Sequence, residues 1–140
     1  MPIDEQGLAP AFAQLHREMS VLYSLIARRL DLTSQQAELL CLLGSEQPPS
    51  FGELALMLGC DKTNVTGMVD RLERRGLLAR ETDPRDRRVT RAVATEHGSA
   101  VRKKFRADLE HELTRRLPEI DRAGLVTLVT ATATALAEHR

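Results

Sequence analysis

Residues 61–88 read DKTNVTGMVDRLERRGLLARETDPRDRR, and this stretch decides the fold. In its first half, apolar residues recur at the spacing of one helix face. They are Val65, Met68, Val69 and Leu72. Asp61 can cap the start of this helix, and Gly76 marks its end. After Gly76 the apolar period changes to two, so a strand is predicted to follow the helix directly.

The residues that follow predict a β-hairpin with a basic tip. The alternation of side chains that is typical of a strand runs from Leu77 to Thr82 and resumes from Val89 to Val93. The segment DPRDRR at 83–88 lies between these two runs. The tip contains three arginines, Arg85, Arg87 and Arg88. A narrow DNA minor groove attracts inserted arginine through its negative potential, so the tip is predicted to contact DNA. A solvated, charge-rich turn is the alternative interpretation.

Upstream of residue 61, the sequence predicts a helix that completes a helix-turn-helix. Ser50 and Glu53 form a capping-box pattern that starts a short helix, and Gly59 can end that helix in a left-handed conformation. Two helices are thus joined by a three-residue turn that contains glycine. In a helix-turn-helix the second helix enters the major groove of DNA, with its N-terminal residues leading.

The second helix of this pair presents a small, polar and basic face opposite its apolar stripe. Hydroxyl and amide groups near a helix start can bond base edges, and Arg or Lys can bond phosphates. The predicted DNA-binding residues are Lys62, Thr63, Asn64, Thr66, Gly67, Arg71 and Arg74, together with Arg85, Arg87 and Arg88 of the tip. Among them, Thr63, Asn64 and Thr66 are assigned to bases. An ordinary solvated helix surface remains open as an alternative.

Further helices are predicted on both sides of this region. Apolar residues recur at spacings of three and four between Leu8 and Leu30, and Thr33 can cap the next helix. Beyond the hairpin, Thr95 and Asp121 can cap a fifth and a sixth helix. The predicted fold is mainly α with a small β-hairpin: a winged helix-turn-helix in the order α-α-α-α-β-β-α-α. We expect residues 1–140 to form a single domain.

The charge distribution fits a DNA-binding surface in the middle of the chain, although the formal net charge of the whole chain is zero. Residues 61–91 contain nine basic and six acidic side chains, a net charge of +3. Residues 1–60 have a net charge of −4, and residues 92–140 have +1. DNA responds to the local field at the docking surface, so overall neutrality does not exclude it as a partner.

Three segments resemble the MarR family of regulators: DKTNVTGMVDRLERRGLLAR at 61–80, DPRDRR at 83–88 and TEHG at 95–98. The resemblance implies a winged homodimer, with dimerisation helices at 8–30 and 96–138 and a DNA-binding region at 33–95. It also implies that Arg88 enters the minor groove and that Asp86 orients it. Gly67 stands where many family members carry a larger side chain. Because family members often bind small aromatic acids or lipophilic compounds, a small-molecule effector is also implied.

Other classes of protein are disfavoured. The glycines form no phosphate-cradling loop, and there is no zinc motif or nucleophile with a base partner, so neither an enzyme nor a cofactor is expected. The four histidines form no i, i+4 pair, so no metal site is expected. No apolar run approaches the roughly 18 residues that span a membrane. Asp4 and Glu5 do not resemble a signal peptide, so we expect a cytoplasmic protein.

The sequence therefore predicts a sequence-specific regulator of transcription. It is expected to bind a pseudo-palindromic operator in double-stranded DNA as a homodimer, and the resemblance favours a ligand-responsive repressor. Two alternatives stay open. One is a winged-helix module for protein interaction with little DNA affinity. The other is a redox-sensing regulator that uses Cys41 or Cys60, although both are expected to be free thiols rather than a disulfide.

Overall fold

The computed structural model describes residues 7–44 and 46–140, so Asp4 and Glu5 lie outside the described residues. Its elements are α1 (Leu8–Arg29), α2 (Ser34–Leu42), α3 (Phe51–Leu58), α4 (Lys62–Arg74), β1 (Leu78–Thr82), β2 (Thr90–Ala94), α5 (Glu96–Arg116) and α6 (Arg122–Glu138). This order confirms the predicted winged helix-turn-helix fold.

Local capping contacts set the geometry of the helix-turn-helix. The Ser50 hydroxyl accepts a hydrogen bond from the Glu53 amide, and the Glu53 side chain accepts one from the Ser50 amide. Gly59 ends α3 at a φ of 66°, in the left-handed region. Oδ1 of Asp61 then accepts from the Asn64 amide at 2.8 Å and starts α4. The predicted caps are confirmed, and they fix the turn from α3 into α4.

The chain divides into two compact units, Met1–Leu109 and Glu110–Arg140. The first unit has a core to which helices and hairpin both contribute. Its largest fully buried side chains are Ile26, Leu39, Leu40, Leu54, Val65, Val69, Leu72, Leu77, Leu78 and Phe105. In the second unit Arg122, the first residue of α6, forms an ion pair with Glu110. The division lies inside α5, and the single domain stays a prediction.

Large apolar side chains are exposed on α1, α3 and α6, and those of α3 are Leu56 and Met57. Along α1, Leu22 and Ile26 are buried, but Leu8 is 79% exposed, and Phe12 and Leu15 are exposed as well. The predicted apolar stripe of α1 therefore packs into the core only at its C-terminal half. No residue of α6 is buried, and its exposed apolar side chains include Val126, Leu128, Val129 and Leu136. Within the described ranges, no helix is both long and apolar enough to cross a membrane.

The hairpin packs against the helix-turn-helix, with β2 against α3 and β1 against α4. Strands β1 and β2 pair antiparallel, with a register from Leu78 opposite Ala94 to Thr82 opposite Thr90. The Ala92 amide donates to the Pro49 carbonyl at 3.0 Å, which attaches β2 to the segment before α3. These contacts fix the base of the wing against the helix-turn-helix.

The start of α5 packs closely on the start of the hairpin. The Thr95 hydroxyl accepts from the Gly98 amide at 3.0 Å and donates to the Gly76 carbonyl at 2.6 Å. A Cβ on Gly98 would lie 1.8 Å from the carbonyl oxygen of Leu77. Residue 98 must therefore be glycine for α5 to approach the backbone this closely.

Candidate nucleic-acid interface

The predicted contact residues of α4 lie on its solvent side. Val65, Met68, Val69 and Leu72 are buried, as the apolar stripe predicts. Lys62, Thr63, Asn64, Arg71 and Arg74 are exposed, and Thr66 and Gly67 are partly exposed. The structure thus brings the seven predicted residues of α4 onto the accessible part of one helix. Their contact with DNA stays a prediction.

Thr66 is restricted in the hydrogen bonds that it can offer to DNA. Its hydroxyl donates to the Lys62 carbonyl at 3.0 Å, inside the helix. The hydroxyl oxygen retains acceptor capacity, so it is suited to the amino group of adenine or cytosine in the major groove. Thr63 and Asn64 are exposed in the first turn.

Gly67 gives α4 a position without a side chain. A Cβ built there would meet only the flexible Nη1 of Arg71, at 4.0 Å. Glycine inside a helix costs roughly 0.5–1 kcal/mol relative to alanine. Packing within this chain therefore does not require the glycine, and the helix backbone can be approached most closely at this point.

Two carboxylates on α4 are paired with one arginine of the hairpin, which offsets part of their charge. Arg80 on β1 forms ion pairs with Asp70 and, from Nε at 3.3 Å, with Oε1 of Glu73. Its guanidinium carbon also lies 5.5 Å from the centre of the Phe51 ring. Arg80 thus connects β1, α4 and α3, and it balances negative charge that would repel phosphates. The role of Arg80 could not be predicted from the sequence, because the alternating pattern places this residue in a strand without showing its partners.

At the hairpin tip, two aspartates organise the loop. Oδ1 of Asp83 accepts from the amides of Arg85 at 2.7 Å and Asp86 at 3.0 Å. The Asp86 carboxylate receives Nε and Nη2 of Arg88 at 3.1 and 3.2 Å. The Arg88 side chain is 91% exposed, and its pairing with Asp86 holds its orientation. Donation from Arg88 lowers the pKa of Asp86 below its ordinary value.

Arg91 on β2 links the tip to α3. It donates from Nε to Oδ2 of Asp83 at 2.7 Å, and from Nη1 to the Pro48 carbonyl at 2.8 Å and to Oε1 of Glu53 at 3.2 Å. The hydrogen bond from Arg91, reinforced by the two tip amides, lowers the pKa of Asp83, and the same pairing raises the pKa of Arg91. Arg91 was not among the predicted site residues, since it lies outside the basic tip at 83–88.

Burial works against thiolate formation at Cys41. Cys41 and Cys60 are free thiols of intermediate burial, as predicted. Burial raises the pKa of the Cys41 thiol although Arg106 and Arg102 act in the opposite direction. A raised pKa reduces the thiolate fraction, and the thiolate is the reactive form. Over residues 7–44 and 46–140, no group of three or more His, Cys, Asp or Glu side chains could hold a metal ion.

Comparisons with known proteins agree with this arrangement. Residues 32–90 match the model of the MarR family. The HTH-type transcriptional regulator YcgE of Bacillus subtilis (strain 168) is 33% identical over 84 residues, which cover 60% of this chain and 54% of that protein. The HTH-type transcriptional repressor NicR of Pseudomonas putida is 39% identical over 70 residues, covering 50% of this chain and 44% of that protein. The chain spans about half the length of these curated relatives.

Structural similarity extends over more of the chain. The crystal structure of wild-type MarR from E. coli in its apo form superposes with a TM-score of 0.77 at 26% identity. The match covers 90% of this chain and 96% of that one. The fold and the family resemblance are confirmed, and the relatives are named as transcriptional regulators rather than enzymes.

Proposed function

We propose that this chain is a MarR-family regulator of transcription that binds double-stranded DNA with α4 and the hairpin tip, since residues 32–90 match the model of that family. The observation that carries the proposal is the pairing of Asp86 with Arg88, an arginine whose side chain is 91% exposed. A guanidinium that is oriented before binding loses little freedom when it enters a minor groove. The solvent side of α4 supplies the polar and basic groups for the major groove.

We further propose that the protein acts as a homodimer on a pseudo-palindromic operator. Exposed apolar side chains of α1, such as Leu8 and Phe12, and those of α6 support this, because sizeable exposed apolar surface often marks an interface. A two-fold symmetric dimer would place one α4 on each half-site, about one helical turn apart.

Repression is the mode we propose, because the similar protein NicR is named a repressor. A small-molecule effector and a cytoplasmic location are part of the same proposal. The effector is suggested by the family resemblance, and the location is where such a regulator would meet chromosomal DNA.

A salt titration against pooled genomic duplex fragments, with sequencing of the bound fragments, tests this function. We expect enrichment of pseudo-palindromic sites and a steep loss of binding with salt, with a logarithmic slope of about −0.9 per phosphate contact. The Arg88→Ala variant serves as the matched comparison. If neither protein retains duplex in a salt-dependent manner, the chain is better described as a winged-helix module for protein interaction.

A further inference from the structure

Arg75, the residue after α4, reaches the end of α1. Its Nη2 donates to the Leu30 carbonyl at 3.1 Å, and its Nη1 donates to the Asp31 carbonyl. Leu30 and Asp31 are 45 and 44 positions away from Arg75 in the sequence. The C-terminal end of α4 is therefore attached directly to the C-terminal end of α1.

The end of α1 is suited to receive a guanidinium. The last carbonyls of a helix have no partner inside the helix, and they form the negative end of its dipole. Asp31 adopts a φ of 57° directly after the helix. The planar fork of arginine can bond to two neighbouring carbonyls at once, whereas a lysine ammonium acts as a point charge.

We infer that Arg75 is a positioning residue that fixes α4 relative to α1. This inference rests on the proposed function, in which the exposed apolar half of α1 contributes to the dimer contact. Because α1 would lie in the dimer and α4 in the major groove, Arg75 sets the separation between the two α4 helices. Its effect on DNA is indirect: both terminal nitrogens bond to carbonyls, and it lies about 18 Å along the helix from Thr63.

The test is a series of duplexes in which the distance between two half-sites changes by single base pairs. The wild-type protein is expected to prefer one spacing. The Arg75→Ala variant is expected to bind that spacing about tenfold more weakly, with a flattened preference and an unchanged salt slope. Arg75→Lys should fall between them. Arg140→Ala, which removes one exposed arginine beyond the end of α6 and outside the proposed dimer and DNA contacts, is the matched control and should keep the wild-type profile.

A wild-type spacing profile for Arg75→Ala would overturn the inference. An equal loss of duplex affinity at every spacing, together with a salt slope reduced by about 0.9 per lost contact, would also overturn it. That result would show that Arg75 itself contacts a DNA phosphate. Hydrogen exchange without DNA gives a separate measure: the amides around Leu30–Leu32 should exchange faster in Arg75→Ala, and unchanged protection would refute the attachment. Failure of the wild-type protein to bind any duplex would instead refute the proposed function.

Discussion

Asp83 and Arg91 face each other across the base of the hairpin tip, with 2.7 Å between Oδ2 and Nε. The other carboxylate oxygen of Asp83 holds the amides of Arg85 and Asp86. Since Arg91 also bonds to the Pro48 carbonyl, one carboxylate and one guanidinium connect the tip to the segment before α3. The orientation of the tip arginines therefore depends on a residue outside the tip.

Removing this link should weaken DNA binding without removing a DNA contact. We expect Arg91→Ala to lower duplex affinity by roughly 2- to 30-fold, because the tip would sample more conformations before it binds. Duplex titration at fixed salt measures the loss. The Thr90→Ala variant, one position earlier on β2, is the control. Equal affinity for Arg91→Ala and wild type would show that the tip does not need this anchor.

The same pair predicts a titration behaviour. The carboxyl pKa of Asp83 should lie below its ordinary value of about 3.9, because Arg91 and two amides donate to the charged form. A depressed folded pKa contributes stability above the unfolded pKa, and that contribution is lost as pH falls through the folded pKa. The tip should thus keep its order at neutral pH, where the Asp83 carboxylate is charged, and lose this link only as the pH falls below the ordinary carboxyl pKa.

Carboxyl-carbon NMR of Asp83 follows this titration directly. In Arg91→Ala the midpoint should move up toward the ordinary value, since the largest cause of the depression has been removed. Asp86, whose pKa is lowered mainly by Arg88, provides an internal comparison and should shift less. A midpoint for Asp83 that does not move would contradict the assigned ion pair.

Arg88→Ala should cost about 1–3 kcal/mol of duplex binding, as expected for an arginine that reads a groove. The thermal midpoint should stay unchanged because the side chain is almost fully exposed. Asp86→Asn, which weakens the ion pair with Arg88, should also lower duplex affinity, but by less than Arg88→Ala does. Unchanged affinity in Arg88→Ala would remove the assignment of the tip to DNA.

Gly67→Ala should affect the stability of the free protein and its affinity for duplex DNA in different ways. The free protein has room for the added methyl group, so helix stability should rise by roughly 0.5–1 kcal/mol. Duplex affinity or site preference should change, because the methyl group would lie on the surface proposed to enter the groove. Gly98→Ala is the contrasting variant: it meets the Leu77 carbonyl and should destabilise the fold by about 1–3 kcal/mol. Wild-type binding by Gly67→Ala would mean that DNA does not approach this position closely.

Structural features that involve residues close together in the chain could be predicted from the amino-acid sequence alone. The capping box of Ser50 and Glu53, the left-handed Gly59 and the apolar stripe of α4 involve residues within a few positions of each other. Such features follow from local backbone hydrogen bonds and from the period of the helix, and both depend only on residues that are close in the sequence. The basic tip was equally visible as a run of residues.

Only the tertiary structure decided which distant residues meet. Arg75 bonds to carbonyls 44 and 45 positions away, and Arg91 reaches Pro48 and Glu53. An arginine in a sequence shows its charge but not its partner, because the partner depends on how helices and strands pack. For the same reason, periodicity predicted an apolar stripe on α1, while packing decided that Ile26 is buried and Leu8 is exposed.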